Sequence, residues 1–123
     1  IIKFKKKNPN KNISKIIFKV VERYLNYISK INLHIKHKVI IQGVPCPNIE
    51  IKNIEDKEIK MLVNVIKQFN IILREKSYEM GFTFLDLYKL TDRGDGFSNK
   101  VWHIDQYHLS PKAMLKVWNN YTS

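Results

Sequence analysis

Cysteine occurs once in the 123 residues, at Cys46, so no internal disulfide can form and the chain does not read as a stapled secreted domain. An initiator Met is missing too. The chain starts Ile1-Ile2, and the expectation is that it begins inside a longer reading frame or after processing. No apolar run approaches the roughly 20 residues that span a bilayer. The lysines at the amino end have no apolar stretch behind them, so no signal peptide is read there. Together these absences leave the location unknown and favour the cytoplasm slightly.

Arginine is scarce, with only Arg23, Arg74 and Arg93, although Lys and Arg together number 22 against 11 acids, for a net charge of +11. That excess invites a nucleic-acid reading. The lysines, however, are spread widely, and the one dense run is Lys3, Lys5, Lys6 and Lys7. No aromatic-plus-basic platform accompanies them. The excess therefore reads as a solvated lysine surface in a chain rich in Ile, Asn and Lys, and nucleic acid ranks last among partners. Hydrophobic residues make up 44%, enough for a core in one domain or part of one.

Residues 1–11, broken by Asn8-Pro9-Asn10, read as a basic tail or loop, and residues 12–123 as one α/β unit. A helix starts at about Asn12. Ile13, Ile16, Ile17, Val20, Val21, Tyr24, Leu25 and Ile28 recur at steps of three and four as one broad apolar stripe, which is assigned to the core. The pattern changes after Asn32. Lys38–Val44 is a β-branched run of continuous apolar character, expected to be a strand buried on both faces. Pro45-Cys46-Pro47-Asn48 then forces a loop. Cys46 has no nucleophile or metal partner near it in sequence and is read as structural.

A long helix is expected from Asp56 to about Met80, with Ile59, Leu62, Val63, Ile66, Phe69 and Leu73 inward and Asn70 a polar exception. Acids near its start suit the helix dipole, and Gly81 is its stop. Phe82–Asp86 is the next strand. Residues 91–101 carry Asp92, Asp95 and two glycines, but the spacing of an EF-hand and its closing Glu are absent, so a turn-rich connection is expected. The final helix should run from Pro111 to about Tyr121, with Ala113, Met114, Val117 and Trp118 inward. Strands alternating with long helices imply right-handed crossovers and a parallel sheet. Two strands, both central in character, suggest the later half of a doubly wound, flavodoxin-like domain.

Just before that last helix stand Asp105 and His108, three residues apart, with Ser110 as its expected N-cap and Pro111 in its first turn. An acid so close to a histidine can orient the ring and stabilise its protonated form. The position, past a strand and at a helix start, is where ligands converge in open α/β sheets.

From residue 12 to about 121 the chain resembles the carboxyl-terminal half of the SGNH hydrolases, the GDSL esterase/lipase family. The resemblance rests on Val39–Pro45, on Val63-Asn64-Val65-Ile66 and Ile72-Leu73-Arg74, and on Phe84-Leu85-Asp86-Leu87 leading to Asp95-Gly96-Phe97. Most specifically it rests on Ile104-Asp105-Gln106-Tyr107-His108-Leu109-Ser110-Pro111, which is similar to the family's closing Asp-x-x-His block. It implies the later part of a three-layer α/β/α fold and hydrolysis of a small-molecule, carbohydrate or lipid ester without a cofactor or metal. His108 would be the general base and Asp105 the acid that orients it. Asp86 matches a common acidic position of the family, though bonding of loop amides is its safer role. His103 reads as a loop histidine packed beside Trp102.

The departure is large. The family's Gly-Asp-Ser nucleophile block and its oxyanion Gly and Asn are not identifiable here. None of Ser14, Ser29, Ser77, Ser98, Ser110 and Ser123 lies in that context. The isolated chain is therefore expected to be inactive, with the serine supplied by an upstream segment or by a partner chain that completes the sheet. The alternative is a non-catalytic SGNH-like interaction module or an incomplete fragment.

Overall fold

Asn12 opens the first helix, α1 (Ile13–Ile35), its side-chain oxygen accepting from the Lys15 N–H at 3.3 Å. The computed structural model describes residues 12–52 and 54–122, and the basic stretch expected at 1–11 lies outside them. The helix does not stop near Asn32. It continues until Lys36 takes a left-handed conformation (φ 58°) and donates its N–H to the Asn32 carbonyl at 2.6 Å. The Asn32 side chain also accepts from the His37 N–H at 2.9 Å. Asn32 thus serves the helix end from one turn inside it.

One long helix and two strands build the rest of the main core. They are β1 (Ile40–Gln42), α2 (Asp56–Glu79) and β2 (Thr83–Leu85). The strands pair in parallel, with Ile40 opposite Thr83, Ile41 opposite Phe84 and Gln42 opposite Leu85. Thr83 N–H donates to the Val39 carbonyl and Gly43 N–H to the Leu85 carbonyl. The fold is mixed α/β, with a small two-strand parallel sheet and helices packed on it.

The expectation that β1 is buried on both faces is corrected. Ile41 is buried, but Ile40 and Gln42 are exposed. Among the described residues β1 is paired along one edge only, and on the face away from the main cluster Ile40 and Gln42 are left exposed. β2 does have both faces covered, since Thr83, Phe84 and Leu85 are all buried. Adjacent residues of a strand point to opposite faces. Phe84 accordingly joins Ile17, Val21, Leu25, Ile41, Val65, Leu73 and Phe82, whereas Leu85 joins Leu87 and Val117 beneath the last helix.

The broad stripe of α1 is likewise divided. Ile17, Val21 and Leu25 are sealed against α2 and the sheet, while Val20 and Tyr24 are exposed. A single neighbouring helix and one strand cover only part of the arc that the sequence made apolar. Tyr27 and Ile31 continue the exposed row at helical spacing.

Asn70 proves to be a clamp. Its amide donates to the Val44 and Ile66 carbonyls at 2.9 and 3.2 Å, and its oxygen accepts the Val44 N–H at 2.8 Å. A buried amide so satisfied fixes the carboxyl end of β1 without a desolvation penalty.

Two shorter helices close the chain. α3 (Leu87–Thr91) was not foreseen, because five residues show no helical period. Asp86 caps it, accepting the Lys89 N–H at 2.9 Å. α4 (Pro111–Thr122) starts at the proline as expected and buries Ala113 and Val117, with Met114 and Trp118 packed beside the second cluster. Among the described residues no helix is long and apolar enough to cross a membrane.

Candidate active site

The loop between α3 and α4 builds itself from its own polar side chains. The Asp92 carboxylate accepts the Gly94 and Gly96 N–H groups at 2.8 and 2.9 Å. Arg93 grips Asp95 through two N–H···O bonds of 2.9 and 2.8 Å, and Asp95 also accepts the Phe97 N–H. That guanidinium holds the Asp95 carboxyl below the usual range. Both acids thus spend their oxygens on the turn itself.

Ser98 ends this turn and is buried. Its N–H donates to the Pro47 carbonyl, its Oγ accepts the Lys100 N–H, and the same Oγ lies 2.6 Å from His103 Nδ1. Burial keeps the His103 ring below its ordinary pKa, against a smaller upward pull from Asp105. His103 therefore belongs to the scaffold. The partner that fixes it is Ser98, and nothing in a Ser-to-His spacing of five marked the pair in sequence.

From His103 the chain makes a tight antiparallel return. His103 bridges to Leu109, Ile104 N–H donates to the His108 carbonyl at 3.0 Å, and Ser110 N–H donates to the Trp102 carbonyl at 2.7 Å. Asp105 and His108 stand at the tip. One carboxylate oxygen of Asp105, Oδ1, accepts the Tyr107 and His108 N–H groups at 2.8 and 2.7 Å. Both oxygens face His108 Nδ1, at 3.0 and 2.9 Å. The Tyr107 amide and then the imidazole hold the Asp105 carboxyl below the usual range. Asn48, from the loop after β1, donates its amide N–H to the Asp105 carbonyl at 3.0 Å and ties the tip to the sheet end.

The structure thus brings the two sequence-chosen residues into direct contact. Asp86 stands apart as the α3 cap. Asn48 and Ser98 hold the loop and were not singled out; Asn48 acts across 57 positions, and the spacing of five between Ser98 and His103 matches no local pattern. Both side chains of the pair are well exposed, His108 at 70% and Asp105 at 53%. Beside Asp105 a depression of about 680 Å³ is lined by Asn48, Ile49, Glu50, Ile54, Lys100 and Gln106. Among the described residues no cluster of His, Cys, Asp and Glu is arranged to hold a metal ion.

Chemically, an imidazole with Nδ1 engaged by a carboxylate presents Nε2 as its basic atom. Such a pair can accept and return a proton. It supplies neither a nucleophile nor oxyanion donors.

Cys46 is fully buried, with its N–H on Thr91 Oγ1 and its thiol 3.4 Å from the Tyr88 carbonyl. Burial pushes the thiol up from 9.0 to about 11. The reactive form is the thiolate, and two units of pKa reduce its fraction by about 100-fold. Ellman's reagent at pH 8 should therefore label the native protein at least about 100-fold more slowly than the urea-unfolded chain. Equal rates would show an accessible thiol.

A scan against protein-family models and a search of the curated proteins find no match to this chain.

Proposed function

We propose that the chain is the carboxyl-terminal half of a doubly wound, SGNH-type ester hydrolase, with His108 as general base and Asp105 as the acid that orients it. The observation that carries this reading is the seating of the Asp105 carboxylate on His108 Nδ1, at 2.9 and 3.0 Å, in the turn before α4. His108 Nε2 would take the proton of a serine hydroxyl as that oxygen attacks the ester carbonyl. It would then return the proton to the leaving alcohol, and the cycle would repeat with water. Asp105 would hold the tautomer and balance the imidazolium charge.

The serine and the oxyanion donors would come from an upstream segment or from a partner chain. Ser98 is unsuited to the part, being buried and bonded to His103 instead of His108. Helical cover on both faces of β2 and the outer edge of β1, unpaired among the described residues, fit a sheet that further strands complete. Substrates would be esters of small molecules, sugars or lipids.

A second reading, a non-catalytic interaction module, is favoured by the exposed apolar row Val20, Tyr24, Tyr27 and Ile31 on α1. A partner could cover that row without any chemistry. Hydrolysis of p-nitrophenyl acetate separates the readings. The chain alone should be inactive. Joined to a segment that supplies the serine and oxyanion donors, it should turn over, and His108→Ala should lower kcat by on the order of 10³-fold. Unchanged turnover in that variant removes His108 from the mechanism.

A further inference from the structure

Among the described residues the parallel ladder leaves a second free edge, and a groove lies along it. In a parallel pair, alternate residues direct their backbone groups to opposite sides. Thr83 N–H and the Leu85 carbonyl are both spent on β1, so the N–H and C=O of Phe84, between them, point the other way. Phe84 forms part of the wall of a groove of about 770 Å³ between α2, α3 and α4. Its other walls include Arg74 and Tyr78 from α2, Lys89 from α3, and Val117 and Tyr121 from α4.

The chemistry of these walls suits a peptide. Tyr78 and Tyr121 are each about half exposed, with apolar rings and polar tips. Arg74 lies over the Tyr78 ring at 5.8 Å, and Tyr121 leans on Trp118 with ring centroids 5.9 Å apart. Tyr and Arg are the residue types that dominate protein interfaces energetically. The two cations matter equally. Among the described residues the ion pairs involve Lys76, Arg93, Lys100 and His108, so Arg74 and Lys89 have no carboxylate partner. The one acid in the wall, Asp86, spends an oxygen on the Lys89 N–H as the α3 cap. A free edge with two cations beside it that lack a carboxylate partner, on a chain of net charge +11, selects an acidic occupant.

We propose that this groove docks an extended acidic peptide, which adds as a strand to the free edge of β2. Its backbone bonds Phe84 N–H and C=O, its carboxylates meet Arg74 and Lys89, and its apolar side chains cover Tyr78, Val117 and Tyr121. Strand addition takes affinity from the main chain and specificity from alternate side chains. The site shares no lining residue with the depression beside Asp105, and it does not depend on ester hydrolysis.

The test uses the full 123-residue chain. The probe is a fluorescein-labelled peptide of repeating Glu-Glu-Val-Val, about ten residues long, which sets both residue types on each face of the added strand, followed by anisotropy and by amide chemical shifts. Binding should move the Phe84 amide and slow its hydrogen exchange. It should weaken at least tenfold when the peptide's edge-facing nitrogens are methylated, when Glu is replaced by Lys, or in the Arg74→Glu/Lys89→Glu protein. Both substituted side chains are exposed, and the methylated peptide tests the unaltered protein if that variant folds poorly. Equal binding of the methylated peptide would overturn strand addition, leaving charge attraction alone. Shifts centred on Ile40, or full displacement by inorganic phosphate, would overturn it as well, placing the ligand on β1 or reducing the groove to a small-anion site. Absence of binding at low salt would dispose of the groove as an acidic-peptide site altogether.

Discussion

Gly43→Ala should lower the stability of the chain by about 3 kcal/mol, a substantial part of the roughly 5–15 kcal/mol typical of a domain. The methyl group has no room. A Cβ at this position would stand 2.8 Å from Phe84 Cζ, 2.9 Å from Asn70 Oδ1 and 3.3 Å from the Leu85 carbonyl oxygen. Phe84 cannot swing aside, because it is buried in the main cluster. Asn70 cannot retreat without releasing the Val44 N–H it accepts at 2.8 Å. Overpacking costs about 1–3 kcal/mol, and an unsatisfied backbone donor costs a similar amount. Thermal unfolding should shift down by on the order of 10–20 °C for a domain of this size. Gly81→Ala is the control. Gly81 has a positive φ of 74° but nothing within 4 Å of the added atom, so only the left-handed backbone is penalised, by about 1 kcal/mol. Equal effects at the two sites would mean that close approach at Gly43 contributes nothing.

Gly43 also shows what a sequence conveys and what it hides. Its place at the end of a β-branched run marked a strand terminus. That the terminus is where a ring, an amide and a carbonyl crowd together depends on Asn70, from a helix 27 residues later. The long helices were legible because apolar residues recur over many turns, and a 24-residue helix needs few exceptions to declare itself. Burial was less legible. Val20 and Val21 are both apolar and adjacent in sequence, yet only Val21 is covered. The helix presents a wider apolar arc than its neighbours seal. The same ambiguity misled the reading of β1, whose apolar run implied cover on both faces although Ile40 and Gln42 are left exposed.

The dyad itself was legible because its geometry is local. An Asx-type turn brings Asp105 back onto the amides of residues two and three positions later, and the imidazole follows. The supports of the turn were illegible because Asn48 reaches it across 57 positions, and Ser98 binds a histidine that seemed incidental.

Locality makes Asp105→Asn the sharpest test of what the pair does. Oδ1 already accepts two backbone N–H groups, so an amide oxygen must occupy that place to keep them satisfied. The amide nitrogen is then forced to the position of Oδ2, 2.9 Å from His108 Nδ1. A donor there can be met only by a bare Nδ1, which moves the ring proton to Nε2 and removes the basic nitrogen from the exposed side. The loop should survive while the base is lost. If the proposed hydrolase reading holds and the chain is joined to a segment that supplies the serine, this variant should lose about 10²–10⁴-fold in kcat, the range set by general-base loss and by a wrong tautomer in Ser-His-Asp triads. On the present chain alone, proton–nitrogen correlation spectra at neutral pH should show Nδ1–H in the native protein and Nε2–H in the variant. The acid limb gives an independent reading. The Asp105 carboxyl is held below its ordinary 3.8, so its contribution to holding the loop is complete above that value and disappears as pH falls through the lower folded one. Amide exchange at Tyr107 and His108 should therefore stay slow at pH 5 and accelerate only below the ordinary carboxylate range, whereas Asp105→Ala should exchange fast throughout. An unchanged tautomer in Asp105→Asn, with turnover intact, would reduce the pair to a turn that happens to contain a histidine.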